Sequence, residues 1–291
     1  MKNQSLLIVL FFCAVFQHIS AQEAPVVPEK YTAHNKGKFY IFWGGNREDF
    51  SKSDIRFKGK DYDFTLYDVD AHDKPKGFHI DYFNPVRMTI PQTNLRIGYF
   101  ITDKYNISVG FDHMKYVMHQ DIAVDYTGFY PNQGSFGETL PNGQILLTED
   151  FLTFEHTDGL NYVNTEISRV DDISKWFGIK NTDLFQINMT EGAGGGFLYP
   201  KTNTKLLGKE RYDEFHVSGY GFSAKAGLNI TFLKYFFIQG ELKGGYINMP
   251  DIVTRPESDN DRAKQQFGYA EIDGMFGFIL AGKSQKATLI N

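Results

Sequence analysis

Cysteine is almost missing from this chain: its single example, Cys13, lies inside a short apolar run near the start. Disulfide frameworks, cysteine-liganded zinc and thiol catalysis are therefore excluded for everything that follows that run. Outside the run, Leu6 to Phe16, no hydrophobic stretch approaches the about 20 residues that a membrane-crossing helix needs. Helical periodicity is scarce too, with one short turn expected between Asp172 and Ile179. No charge of one sign dominates. Thirty Lys and Arg against 35 Asp and Glu give a net −5, so no nucleic-acid partner is expected. Disorder is excluded by a hydrophobic fraction of 42%.

What the chain does have is Phe, Tyr and Gly, 27, 17 and 28 of them in 291 residues. Yet the mean hydropathy is −0.36. A sheet protein with one apolar face produces that balance. Lys2, the apolar run and the small pair Ser20-Ala21 form an export signal over residues 1–21, cleaved before Gln22. Phe11 and Phe12 precede Cys13 where lipid attachment would want a small residue, so a lipoprotein is not expected. Residues 22–37, with Pro25 and Pro28, read as a periplasmic lead-in.

From Lys38 onward the apolar residues recur with period two, the strand period. Leu95, Ile97, Tyr99 and Ile101 alternate with Arg96, Gly98, Phe100 and Thr102. Phe236, Ile238, Leu242 and Tyr246 alternate with Gln239, Glu241 and Lys243. Phe276, Phe278 and Leu280 oppose Tyr269, Glu271 and Asp273. Eight strands result, at about 38–46, 93–102, 106–117, 151–168, 184–198, 214–231, 236–248 and 267–281. Asp103 to Tyr105 and Phe232 to Tyr235 are short links. Segment 169–183 is intermediate, and 47–92, 118–150, 199–213 and 249–266 are long. Even parity and alternating link length predict an all-β, eight-stranded antiparallel transmembrane β-barrel with short periplasmic turns and long extracellular loops, over residues 38–281 with a tail at 282–291. A secreted soluble barrel with an apolar cavity is the alternative. The outer-membrane reading is favoured by aromatics at the strand ends: Tyr105, Trp176, Phe177, Phe232, Tyr235 and Phe236 at one rim, Tyr220 and Tyr246 at the other.

The polar faces carry Gly98, Gly110, Gly192, Gly194, Gly227 and Gly245, small enough for a narrow interior. They also carry Arg96, Asp112, Lys225, Glu241, Lys243, Glu271 and Asp273, which predict an interior charge network. Enclosed charges must pair, so a plugged lumen is expected, with a narrow channel as the alternative.

Export signal, alternating strands and link rhythm together resemble the small OmpA/OmpX-like outer-membrane barrels. The stretches Lys38-Phe-Tyr-Ile-Phe-Trp-Gly, Ser53-Asp-Ile-Arg-Phe-Lys-Gly, Tyr62-Asp-Phe-Thr-Leu, Pro91-Gln-Thr-Asn-Leu-Arg-Ile-Gly-Tyr-Phe and Asp158-Gly-Leu-Asn-Tyr are similar to uncharacterised outer-membrane barrels of Bacteroidota. The resemblance spans most of residues 38–281 and implies an envelope location without implying a reaction. Such barrels usually end on an aromatic residue, whereas this chain continues past Ala281 to Ile290-Asn291.

Few residues suggest chemistry. His216-Val217-Ser218 resembles the His-x-Ser pair of outer-membrane lipid A deacylases of the PagL type, in which a histidine activates a serine hydroxyl. By parity both side chains share the lipid-facing side with Tyr220 and Phe222. The orienting acid is missing from that face, since Glu241 and Glu271 fall inside; an interfacial polar pair is the plainer reading. Asp68, Asp70, His72 and Asp73, followed by His79 and Asp81, gather possible metal ligands without EF-hand spacing; a solvated acidic loop is expected, as it is for Asp259, Asn260 and Asp261. His113, His119 and His156 read as structural. Gly221 to Lys225 lacks the last glycine of a hydrolase elbow, and Gly192 to Gly196 lacks the Lys and helix of a phosphate loop. No cofactor is expected. The expected contacts are outer-membrane lipid and lipopolysaccharide, plus an extracellular partner through loop 47–92, which is too long for a simple connector. Asp54 to Val69 within it alternates like a hairpin, and deletion of residues 52–80 is expected to leave the barrel able to fold. The expected role is structural or surface-interactive, the enzymatic alternative being lipid hydrolysis through His216 and Ser218.

Overall fold

The computed structural model describes residues 34–75, 92–209, 211–255 and 260–280. The export signal, most of the lead-in, His79, Asp81, Asp259 and the tail lie outside the described residues. Strands appear in the order β1 (Phe39–Phe50), β2 (Ser53–Lys58), β3 (Asp63–Val69), β4 (Ala71–His72), β5 (Asn94–Phe100), β6 (Tyr105–Met118), β7 (Ala123–Val124), β8 (Tyr126–Phe129) and β9 (Ile145–Leu146). They continue as β10 (Leu152–Asp172), β11 (Phe185–Leu198), β12 (Lys201–Leu206), β13 (Tyr212–Phe215), β14 (Gly219–Phe232), β15 (Phe236–Val253) and β16 (Arg262–Leu280). Eight of these form a closed antiparallel ring, β1-β5-β6-β10-β11-β14-β15-β16, sealed by pairing of β16 with β1 from Phe39↔Leu280 to Phe50↔Tyr269. The barrel is transmembrane, and its short turns mark the periplasmic end. Three of the links there are β5–β6, β14–β15 and β10–β11, the last holding a single 3₁₀ turn at Ser174–Phe177.

The outer surface explains why the ring lies in lipid. Val109, Ile167, Leu228, Leu242 and Ile272 point outward with 56–66% of their surface exposed. A water-soluble protein does not leave such a continuous belt open. On β15 the belt runs from Phe236 to Tyr246, the length that a tilted strand needs to cross a hydrocarbon core. Phe39, Tyr99, Tyr105, Tyr235 and Phe236 ring its lower rim, Tyr220 and Tyr246 its upper one, all 38–51% exposed. Below the lower rim Trp176 and Phe177 project from the 3₁₀ turn.

Above the belt the wall continues and its polarity reverses. Inward residues of β16 read Ala263, Gln265, Phe267, Tyr269, then Glu271 and Asp273, then Met275. Outward residues of the same strand change from Lys264 and Gln266 to Ile272, Phe276 and Leu280. The upper third is therefore apolar inside and polar outside, like a soluble barrel, while the membrane third is the opposite. β2 replaces β1 as the neighbour of β16 after a bend at Ser51, whose hydroxyl accepts from the Gly268 N–H at 2.9 Å. β3 folds back on β2, β8 adds to β3, and β12 and β13 extend β10. Phe57, Phe64, Phe154, Tyr116, Phe267 and Ile247 meet in the resulting core, each at most 2% exposed. Each such side chain contributes about 1.5–3 kcal/mol on burial.

Several expected boundaries are corrected by this arrangement. The first long loop does not begin at Arg47, because β1 runs to Phe50, and about a third of the segment is β2, β3 and β4. Segment 249–266 is mostly strand, with β15 and β16 separated only by 254–261. The hairpin at Asp54 to Val69 is part of the wall above the belt. Ile55, Phe57, Phe64 and Leu66 fill the upper core, so deletion of residues 52–80 would open it.

The second loop is organised around one carboxylate. Glu138 accepts the Tyr130 hydroxyl at 2.8 Å and the N–H groups of Gly134 and Phe136 at 2.6 and 3.0 Å. Burial alone would raise its pKa, but these donors outweigh it and hold the carboxyl below its usual range. The stabilisation is thus complete above the ordinary Glu value of about 4.3 and lost as the pH falls below it. Glu138→Ala is expected to cost about 1.5–3 kcal/mol. Hydrogen exchange at the Gly134 and Phe136 amides checks this: they lose protection in the variant at neutral pH and in the native chain only in acid.

Candidate functional site

The membrane-level lumen is where ionisable residues converge. Arg96, Asp112, Lys225, Glu241, Lys243, Glu271 and Asp273 all face it, and none is more than 9% exposed. Strand register makes them neighbours: Lys225 lies opposite Lys243, Lys243 opposite Glu271, and Glu241 opposite Asp273. Lys243 lies 2.9 Å from Asp112 and 3.0 Å from Glu271, with Asp273 at 3.9 Å. Arg96 reaches Asp112 at 3.6 Å and donates to Asn164 and Ser108 at 2.8 and 3.2 Å. Its guanidinium lies over Gly110, where an added Cβ would stand 2.5 Å from the central carbon. Glycine is required there because the cross-strand partner of Arg96 must leave its space to the guanidinium.

At the hub of the network is a residue that sequence reasoning missed. Glu166 bridges Arg96 at 3.0 Å and Lys225 at 2.7 Å, and Lys225 also meets Glu241 at 3.0 Å. The signal was present in the alternation of Tyr162, Asn164, Glu166 and Ser168 against Val163, Thr165 and Ile167. It was obscured by a bulge between His156 and Leu160, where Gly159 adopts φ 140 and shifts the phase. Glu48 and Asn46 on β1 join the same inner face; Glu48 was hidden in the expected loop, and Asn46 is the last residue of the expected first strand.

Two layers of side chains flank this network. Above it is the apolar core. Below it Tyr40, Phe42, Phe100, Phe237 and Met275 form an aromatic floor, with Phe42 and Phe237 edge to face at 6.2 Å. A cavity of about 50 Å³ beneath Lys225 and Glu241 is bordered by Ser168, Asn188 and Thr190, and runs along Tyr40, Phe42 and Phe237 of the floor to Asn35. It has room for a few waters, and those three side chains each hold a buried oxygen with no partner that such waters would satisfy.

The remaining sequence-selected residues do not assemble into a second centre. β14 begins at Gly219, so the alternation does not extend back to His216 and Ser218. Ser218 is buried instead of facing lipid; its hydroxyl donates to the His216 carbonyl at 3.4 Å and its N–H to the Leu198 carbonyl at 3.0 Å. The acid absent by parity is supplied from the neighbouring strand, for His216 Nε2 stands 2.9 Å from Asp251, which also holds Arg262 at 3.0 Å. The ring of His216 is thus committed to Asp251, and the Ser218 hydroxyl to a backbone carbonyl.

Asp68, Asp70, His72 and Asp73 diverge. Asp70 accepts the adjacent Ala71 N–H, Asp68 turns at φ 51 with its N–H on Asp54, His72 lies tilted against His119 with ring centroids 4.5 Å apart, and Asp73 is bound by Gln92. Among the described residues no three His, Cys, Asp or Glu side chains are arranged to hold a metal. His113 bonds Asn161 at 2.7 Å, and His156 bonds Thr202 at 2.9 Å and Gln265 at 3.5 Å. Ser223 is a lumen residue in mid-strand, and Gly192 to Gly196 lie within β11.

No protein-family model and no curated protein matches the chain. Among solved structures, the chain is similar to Neisserial surface protein A, with 10% identity and a TM-score of 0.34, over 82% of this chain and 96% of that one. Ail, the attachment invasion locus protein of Yersinia pestis, matches at 13% identity and 0.30, over 84% and 99%. The outer membrane protein OprG from Pseudomonas aeruginosa matches at 12% and 0.33, over 85% and 97%.

Proposed function

We propose that the chain is an integral outer-membrane protein whose lumen is a structural plug and whose extracellular extension is its working surface. The observation that supports this most is the stacking of three fillings in one bore: aromatic floor, paired charges and apolar core. Ions would have to pass an aromatic and an aliphatic layer in an eight-stranded bore filled by side chains, which disfavours conduction. The belt contacts membrane lipid and lipopolysaccharide. Partners outside the cell meet the outer face of β2, β3 and β16, where Asp54, Arg56, Lys58 and Lys264 point to solvent. Protein reconstituted in planar bilayers is expected to give no stable conductance. Reproducible ohmic steps that disappear on charge reversal at Lys225 or Glu241 would contradict the plug.

One observation favours a second reading, lipid hydrolysis: the 2.9 Å contact between His216 and Asp251. The Ser218 hydroxyl would have to leave the His216 carbonyl and meet the ring for that chemistry. Mass spectrometry of lipid A with and without the protein separates the two, an unchanged acyl pattern ending the enzymatic reading.

A further inference from the structure

Below the charge network the lumen has two unlike walls. On one side Tyr40 and Phe42 of β1 and Phe237 of β15 turn their rings inward, Tyr40 stacked on Phe42 at 6.0 Å and Phe237 edge-on to Phe42 at 6.2 Å. On the other, Ser168 of β10 and Asn188 and Thr190 of β11 turn hydroxyl and amide groups inward. The cavity of about 50 Å³ lies between these walls and extends to Asn35. Asn35 belongs to the periplasmic end, where its amide donates to the Asp103 carbonyl of the β5–β6 turn at 3.4 Å.

The polar wall has a direction. Its amides form one chain that ends on Glu241, and a carboxylate held by Lys225 at 3.0 Å only accepts. Gln239 therefore presents its NH₂ to Glu241, at 2.6 Å, and turns its carbonyl to Asn229. Asn229 donates to that carbonyl at 2.8 Å and accepts from Asn188 at 3.1 Å. The same Asn188 nitrogen also points to the Thr231 hydroxyl at 3.5 Å. Both hydrogens of the Asn188 amide are thus committed, and its carbonyl oxygen is left as a bare acceptor. The Thr190 and Ser168 hydroxyls have no partner either, and all three residues are at most 6% exposed. Buried polar atoms of this kind call for a partner that the protein itself does not supply.

These features specify an occupant. At the roof Lys225 meets Glu241 at 3.0 Å and Glu166 at 2.7 Å, so no free charge is offered and an ionic ligand gains nothing. The bare carbonyl of Asn188 needs an N–H or O–H donor. The two hydroxyls can donate to a carbonyl, and the rings opposite favour an apolar group. Water satisfies the polar wall alone. An acetamido group carries a donor, a carbonyl and a methyl together. At roughly 10–15 Å³ for each water, the cavity takes a few waters or one group of that size. The rest of the molecule must then lie at the mouth, whose polar side chains include the amides Asn35 and Gln186. Amides with both donors and acceptors suit the hydroxyls of a sugar.

We propose that this cavity is a periplasm-facing binding site for the N-acetyl group of an N-acetylated amino sugar. The acetamido N–H donates to Asn188 Oδ1 and its carbonyl accepts from Thr190 or Ser168. Its methyl packs against Phe42 and Phe237, and the sugar ring stays at the mouth. The site lies at the opposite end of the barrel from the extracellular surface, so it stands or fails independently of that surface.

The test uses the full mature chain in detergent micelles with methyl N-acetylglucosaminide as the probe, read by saturation-transfer NMR from the aromatic protons of the protein. The acetyl methyl is expected to receive the strongest transfer of any proton on the sugar. Asn188→Leu and Thr190→Val are each expected to weaken binding about tenfold. The shift in gel mobility on heating checks that each variant folds, and Thr190→Val, which keeps the shape, remains informative if Asn188→Leu does not. Methyl glucoside, which lacks the acetyl group, is expected to show no transfer, and N-acetylglycinamide, a peptide-type acetamide, less than the sugar. Equal transfer to methyl glucoside, stronger transfer to N-acetylglycinamide, or unchanged binding in the folded variants would overturn the proposal. No transfer to any probe would overturn it as well and leave the cavity to water.

Discussion

Replacing Lys243 with methionine is expected to destabilise the barrel by about 3–5 kcal/mol, the largest effect of any single polar substitution in the lumen. The ammonium, carried by β15, touches Asp112 of β6 and Glu271 of β16 and lies near Asp273 of β16. Methionine fits the volume but leaves those carboxylates facing each other with no cation between them. The loss should exceed that of Lys225→Met, whose partners Glu166 and Glu241 retain Arg96 beside Glu166. Lys264→Met is the control, since Lys264 points to water on β16 and such surface changes stay within about 0.5 kcal/mol. Urea unfolding of the reconstituted protein, followed by the difference in gel mobility between folded and boiled forms, ranks the three. Equal midpoints for Lys243→Met and Lys264→Met would mean that the charges do not hold the wall together.

The second large effect belongs to the upper core. Phe154 packs edge to face on Phe57 at 5.4 Å and on His156 at 4.9 Å, with 1% of its surface exposed. Phe154→Ala is expected to cost about 3–5 kcal/mol by leaving a cavity where three strands meet. The opposite experiment on the lipid face gives the complementary result. Leu242 is 66% exposed in the belt, so Leu242→Arg is expected to cost about 2–4 kcal/mol in a bilayer. A soluble barrel would give the reverse for Leu242→Arg, with arginine at an exposed position harmless or favourable. Denaturant unfolding in liposomes and in detergent measures both, and the arginine effect should shrink in detergent while the alanine effect persists.

The membrane part of this architecture was legible because a single period-two rule governs it. Leu95 to Ile101 and Phe236 to Tyr246 show alternation of one phase, and their inward partners Arg96, Glu241 and Lys243 could be assigned by parity alone. The extracellular part was not legible in the same way. On β15 the outward apolar run stops at Tyr246, and Ile247, Met249 and Ile252 then point inward. Nothing slips in the strand at Tyr246; the solvent changes from lipid to water, so the apolar set moves to the other face. A reader of periodicity sees that phase change as the end of a strand, which is why β15 and β16 were expected to be short. Bulges had the same effect at Gly159 and hid Glu166. Long-range pairing hid the rest: nothing local to Gln92 or Asn94 says that each will bridge two acids from distant segments. His216 shows the opposite limit, where a suggestive three-residue pattern did meet an acid, Asp251, but one supplied by a strand whose register only the folded barrel reveals.

Apart from Cys13 the chain has no cysteine, so single cysteines can be placed along β16 without background. Outward positions 264 and 266 lie above the belt, and 270, 272, 274, 276 and 278 lie within it. Reaction with a membrane-impermeant maleimide in intact outer membranes is the direct test of a transmembrane barrel that turns inside out at its upper rim. Rapid labelling at 264 and 266 with none from 270 to 278 is the expected result. Labelling at every outward position, or none at 264 and 266, would contradict it.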